Sequence, residues 1–110
     1  MNFLVNPVID EFVNVLLSVS SRVYHDDANQ EPGEYIVWFE TSERGLKADD
    51  GNAEESIRIA VDVYTNKEFS DIPAKLKKAF NENDIAYEYF VRDYNEDLKY
   101  CKYSTTCEVT

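Results

Sequence analysis

Ile9, Phe12, Val13, Leu16 and Leu17 recur at the three- and four-residue spacing of one helical face. This spacing predicts a helix over 7–18. Asn6 is a good N-cap, and Pro7 suits the first helical position, where its missing N–H costs no bond. Asp10 and Glu11 fall in the first turn, where the helix dipole favours negative charge. Ser18 to Ser21 interrupt the pattern. Arg22 to His25 reads as a short strand, and the polar run from Asp26 to Gly33 as loop. Glu34 to Thr41 is rich in β-branched and aromatic residues, which predicts a strand. Its centre is apolar on both parities, the pattern of a central strand covered at least in part on both faces.

Ile57, Ile59, Val61 and Val63 alternate with Arg58, Ala60, Asp62 and Tyr64, which predicts an amphipathic strand. Between these two strands, Ser42 to Glu54 has no periodicity. At about thirteen residues it exceeds an ordinary connection. If the flanking strands pair antiparallel, 42–54 is an extended, mobile hairpin arm. Ser70 or Asp71 caps a second helix with Pro73 in its first turn, and Ile72, Leu76, Ala79 and Phe80 form its buried stripe. Asn81 to Asp84 ends it. Ile85–Arg92 reads as a strand, Asp93–Asp97 as a turn and Lys99–Val109 as the last strand. The order α-β-β-β-α-β-β predicts one α+β domain over 1–110. Its sheet is antiparallel, of four to five strands, with both helices packed on one face.

Charge narrows the function. The chain has 110 residues, 11 basic against 22 acidic, for a net charge of −11, and 44% of it is apolar, enough to close a core. Excess acid disfavours non-specific nucleic-acid binding and adsorption to anionic membranes. The longest clearly apolar run, Ile36–Phe39, is far below the ~18 residues of a membrane span. The first basic side chain is Arg22, so the N-terminus lacks the positive region of a signal peptide.

Candidate chemistry is sparse. His25 is the single histidine, and its position at a strand end suits a polar edge residue. Cys101 and Cys107 on one extended strand stand about 20 Å apart at ~3.3 Å per residue. A disulfide needs Cα atoms within roughly 7 Å, so the reading is two reduced, half-buried thiols. Two cysteines and one histidine fall short of a zinc ligand set. Asp26-Asp27 and Asp49-Asp50-Gly51-Asn52 do not follow the EF-hand register. The chain therefore reads as a non-enzyme, with no catalytic, metal or cofactor residues assigned. Tyr87, Tyr89, Tyr94, Tyr100 and Tyr103 crowd the last two strands, as cross-strand packing or as an interface requires. Lys75, Lys77 and Lys78 on the second helix are candidate contacts to an acidic loop of a neighbouring copy, although ordinary solvated charge also accounts for them.

Several stretches together carry a resemblance. The N-terminal helix is followed by Val23-Tyr24-His25, then Tyr35-Ile36-Val37-Trp38-Phe39-Glu40 and a long loop containing Ala48-Asp49-Asp50. Ile57 to Thr65 leads into a helix, and the chain closes on a Tyr-rich strand pair. In this order and spacing, over nearly the whole chain, it resembles the small tail-terminator (tail-completion) proteins of long-tailed bacteriophages and prophages of Gram-positive hosts. The resemblance implies a virion protein assembled in the host cytoplasm. It would be a monomer when isolated and a homo-hexameric ring on the finished tail tube, where it stops polymerisation and meets the head-completion protein. DNA would pass through the ring without specific binding. In that family the long loop orders on assembly, which makes Arg44, Lys47, Asp49 and Asp50 the expected contacts here. The chain stops at Thr110 directly after the last strand, so no further tail segment is expected to dock. The alternatives are a head-completion or tail-to-head joining protein, or an acidic inhibitor of the DNA-mimic or immunity type.

Overall fold

Helix α1 (Pro7–Leu17) turns Phe12 and Leu16 inward, as its periodicity requires. A computed structural model describes residues 7–28, 32–41 and 57–109. The Asn6 cap and the 42–54 arm, with Arg44, Lys47, Asp49 and Asp50, lie outside the described residues. After α1 the chain forms β1 (Val23–His25), β2 (Tyr35–Glu40), β3 (Ile57–Thr65), helix α2 (Ile72–Glu82), β4 (Ala86–Tyr87), β5 (Val91–Asn95) and β6 (Tyr100–Val109). The α+β class holds. The sheet runs β1-β2-β3-β6, with β4 and β5 both on the outer side of β6.

One face of the sheet meets the helices. Ile36 and Trp38 of β2, Ile59, Val61 and Val63 of β3, and Cys107 and Val109 of β6 pack with Phe12, Leu16, Ile72, Leu76 and Phe80. The opposite parity of β2 is also covered, because Tyr35 and Val37 are buried with Ala28, Tyr24 and Tyr64. β2 is therefore the doubly covered strand its composition predicts. It pairs antiparallel with β3, Tyr35 opposite Tyr64 and Glu40 opposite Ile59.

The sheet departs from the sequence reading in two respects. It is mixed, not antiparallel: β1 runs parallel to β2, with Val23 opposite Ile36 and His25 opposite Trp38. A parallel neighbour requires the chain to cross back before the next strand begins. Here β1 is so short, about 10 Å at ~3.3 Å per residue, that the stretch from Asp26 to Glu34 suffices.

Among the described residues it also has six strands, because the segment read as one strand over 85–92 is two. Ala86 and Tyr87 stand opposite Glu108 and Cys107, whereas Val91 stands opposite Ser104. Three residues, Glu88–Phe90, thus face two, Thr105 and Thr106. This is a bulge, which reverses the side-chain alternation beyond it. Glu88 is held there by its N–H to the Thr106 carbonyl at 3.1 Å and by the Thr105 hydroxyl, which donates to the Glu88 carbonyl. β5 then continues through Asn95, so the turn falls at 96–99 rather than 93–97. Asn95 accepts the Leu98 N–H on Oδ1 at 3.0 Å and the Lys99 N–H on its carbonyl at 2.8 Å.

The α2 cap is shared. Asp71 holds the N-cap position but makes no capping bond; its carboxylate pairs with Lys75 at 3.2 Å instead. Ser70 Oγ accepts the Ile72 N–H at 3.2 Å.

Cys101 and Cys107 both lie on β6 and are free thiols. They are buried, at 3% and 0% exposure, rather than half-buried. Burial pushes the Cys107 thiol up to about 12. Both sulfurs are shielded from solvent, so neither cysteine should react with a disulfide reagent at neutral pH until denaturant opens the sheet. Rapid reaction of the native protein would show that β6 opens locally.

Candidate functional site

The outer strand β5 is the most exposed regular element of the sheet: all five of its residues are exposed. Among the described residues it pairs only with β6, so alternate residues direct backbone N–H and C=O groups away from the sheet. Exposed large apolar side chains gather along this rim. Tyr89 is 78% exposed, Val91 53%, Tyr94 49% and Leu98 62%, and only Leu17 and Phe69 join them elsewhere among the described residues. The bulge explains part of this. Tyr87 packs on Phe80, with centroids 5.4 Å apart, on the helix side. One inserted residue later, Val91 lies opposite Ser104, on the other side.

The tyrosines singled out by the sequence therefore divide. Tyr87 and Tyr103 pack against the core. Tyr100 donates its hydroxyl to the Gly33 carbonyl at 3.1 Å. Gly33 sits at φ +83°, a left-handed conformation that glycine accepts without steric cost. Tyr89 and Tyr94 face solvent.

The three lysines are exposed on α2, as expected, but they engage their own subunit. Lys75 pairs with Asp71, Lys78 lies 3.8 Å from Glu82, and the Lys77 ammonium sits over the Phe90 ring at 5.9 Å. The Lys75 hydrogen bond and charge hold the Asp71 carboxyl below its ordinary value.

On the face away from the helices, a half-open groove of about 620 Å³ runs between Asp26–Ala28 with Pro32 and Gly33 on one side and the β5–β6 hairpin on the other. Tyr35 and Tyr64, stacked at 5.0 Å, are in its wall with Tyr100, beside Asp26, Asp27 and Asp93. Burial, then the charges of Asp62 and Asp27, raise the Tyr64 hydroxyl above its usual value. Among the described residues its lining has no histidine, serine or threonine. No family model and no curated protein matches this chain. No helix among the described residues is long and apolar enough to cross a membrane.

Two clusters escaped the sequence reading. The first is a structural knot. Glu34 Oε2 accepts the Thr65 hydroxyl at 2.7 Å and the Ser70 hydroxyl at 2.6 Å, and Lys67 Nζ stands 3.3 Å from Oε1. It ties the start of β2 to the end of β3 and to the cap of α2. Burial pushes the Glu34 carboxyl up, but the bonds from Ser70, Thr65 and Lys67, with the Lys67 charge, outweigh it and hold the group below its ordinary value.

The second cluster is His25 with Asp26 and Glu40. The imidazole stacks flat on Trp38, centroids 3.9 Å apart and planes at 12°. Its Nε2 meets Glu40 Oε1 at 2.9 Å and Asp26 Oδ1 at 3.5 Å. The His25 hydrogen bond holds the Glu40 carboxyl below its ordinary range against the effect of burial. Glu40 is distant from His25 in sequence, and only the β1–β2 pairing brings them together.

Proposed function

We propose that the protein is a structural assembly subunit that closes into a ring, in the manner of the phage tail terminators its sequence resembles. It would cap a tail tube, stop tube growth and present a joining surface to the head. The observation that carries this reading is the apolar rim at 89–98 along an open sheet edge. Apolar side chains concentrated on one exposed edge mark an association surface. An interface that joins two different patches of identical subunits closes into a ring when the rotation per subunit allows it. The net charge of −11 also suits a lumen through which DNA slides without sticking.

The test combines light scattering with electron microscopy, on the protein alone and with tubes of its cognate tail-tube protein. Rings should form on tube ends and fix tube length. The double variant Tyr89→Lys/Val91→Lys should keep the native circular dichroism but stay monomeric and leave tube growth unchecked. Tubes that grow without limit in the presence of the wild-type protein would refute the assembly reading. Rings formed equally well by the double variant would refute the role of the rim.

A further inference from the structure

We propose that His25, Asp26 and Glu40 form a binding site for a divalent transition-metal ion of the zinc type, independent of the assembly role. The three donor atoms, one imidazole nitrogen and two carboxylate oxygens, all lie within 4.8 Å of one another. Zinc bonds of about 2.0–2.2 Å to such donors place neighbouring ligand atoms about 3.3 Å apart in a tetrahedral site. Nε2 stands 2.9 Å from Glu40 and 3.5 Å from Asp26, so small side-chain adjustments bring all three onto one ion.

Two further observations point to a cation. The first concerns charge. The ion pairs of Asp26 and of Glu40 both end on His25 Nε2, and neither carboxylate has a lysine or arginine partner among the described residues. Two negative groups thus share one nitrogen that carries at most one proton. A divalent ion serves both carboxylates and the ring at once.

The second is preorganisation. His25 is fixed by its flat stack on buried Trp38. The Asp26 main chain is held by its N–H bond to the Trp38 carbonyl at 2.9 Å, which leaves only the short carboxylate side chain to adjust. Glu40 ends β2, whose register with β1 and β3 is set over its length. Donors held by rigid elements lose little freedom on binding. The mixed nitrogen and oxygen set suits zinc, nickel or cobalt better than calcium or magnesium, which take oxygen. Nε2 ligates through its lone pair as the neutral ring, with the ring proton on Nδ1; a ring protonated on both nitrogens gives its Nε2 proton to solvent on binding. The remaining coordination positions are left to water.

Trp38 is the single tryptophan and His25 the single histidine, so one residue reports on the other. In untagged protein, Ni²⁺ at this site should quench Trp38 fluorescence saturably, with one equivalent bound and reversal by chelator. Zn²⁺ should compete with the Ni²⁺ and should raise the melting temperature as a ligand of the native state does. His25→Gln and Glu40→Gln should each weaken Ni²⁺ and Zn²⁺ at least tenfold with the fold retained, and Asp26→Asn should weaken them as well. Calorimetry with Zn²⁺ gives the same comparison without relying on the Trp38 signal, which His25→Gln itself alters. Absence of saturable quenching and of binding heat at millimolar metal would overturn the proposal. So would binding that survives unchanged in both His25→Gln and Glu40→Gln.

Discussion

Replacing Phe80 with alanine is expected to cost about 3–5 kcal/mol, the usual range for a large aromatic removed from a packed core. Phe80 is fully buried. Its ring lies nearly parallel to Phe12, centroids 6.0 Å apart, and 5.4 Å from Tyr87. It therefore joins α1, α2 and the strand that follows α2. Neither Phe12 nor Tyr87 can fill the void without abandoning its own contacts. For a domain with a net stability of about 5–15 kcal/mol, such a loss leaves little margin. A fall in melting temperature of roughly 12–40 °C should follow, at about 4–8 °C per kcal/mol for a domain near this size. Leu98→Ala, on the exposed hairpin, should change stability by less than about 0.5 kcal/mol. Urea titration of both variants measures the contrast. Similar midpoints for the two would place the core elsewhere.

Glu34→Ala is expected to cost about 2–3 kcal/mol at neutral pH, because it removes two hydrogen bonds to a charged acceptor and leaves the proton of the buried Thr65 hydroxyl, whose oxygen still accepts the Lys67 N–H, without its acceptor. The Lys67 ion pair adds little, since its ammonium is mostly in water. The effect has a pH signature. The folded-state carboxyl titrates below its ordinary value. Its contribution is thus complete above the unfolded value of about 4.3 and is lost as pH falls through the lower folded value. Urea midpoints of wild type and Glu34→Ala should differ most at pH 6–7 and converge as the solution is acidified below about pH 4. A gap that stays constant with pH would assign the loss to packing instead of to the charge.

Elements with a full period of side chains could be read directly. β3 and α2 bury the residues their spacing marks, α1 buries Phe12 and Leu16 and half-buries Ile9 and Val13 but leaves Leu17, also on the expected face, exposed, and the doubly apolar β2 is covered on both sides. The three residues of β1 are too few to encode a direction, so the parallel pairing was not legible. The bulge was hidden because Ile85 to Val91 is apolar or aromatic on both parities, which matches either register. At the candidate sites, exposure of the lysines was legible but their partners were not all chosen by pattern. Lys75 and Lys78 follow the four-residue helical rule, whereas Lys77 depends on where the bulge leaves Phe90. The Glu34 knot and the His25 cluster join residues far apart in the chain. No local pattern announces them.

The inserted residue at Glu88–Phe90 works like a frameshift written in side chains. Upstream, odd-numbered residues of this edge lie on the helix side of the sheet; downstream, the even-numbered ones do, exposed though they are. A lineage that lost one residue here while keeping the β4 register would carry Val91 to the sheltered side and turn Arg92 out. An adhesive border would become a wettable one without any change of amino-acid type. Under the proposed assembly role, an indel at this spot would switch the rim more cheaply than substitutions could.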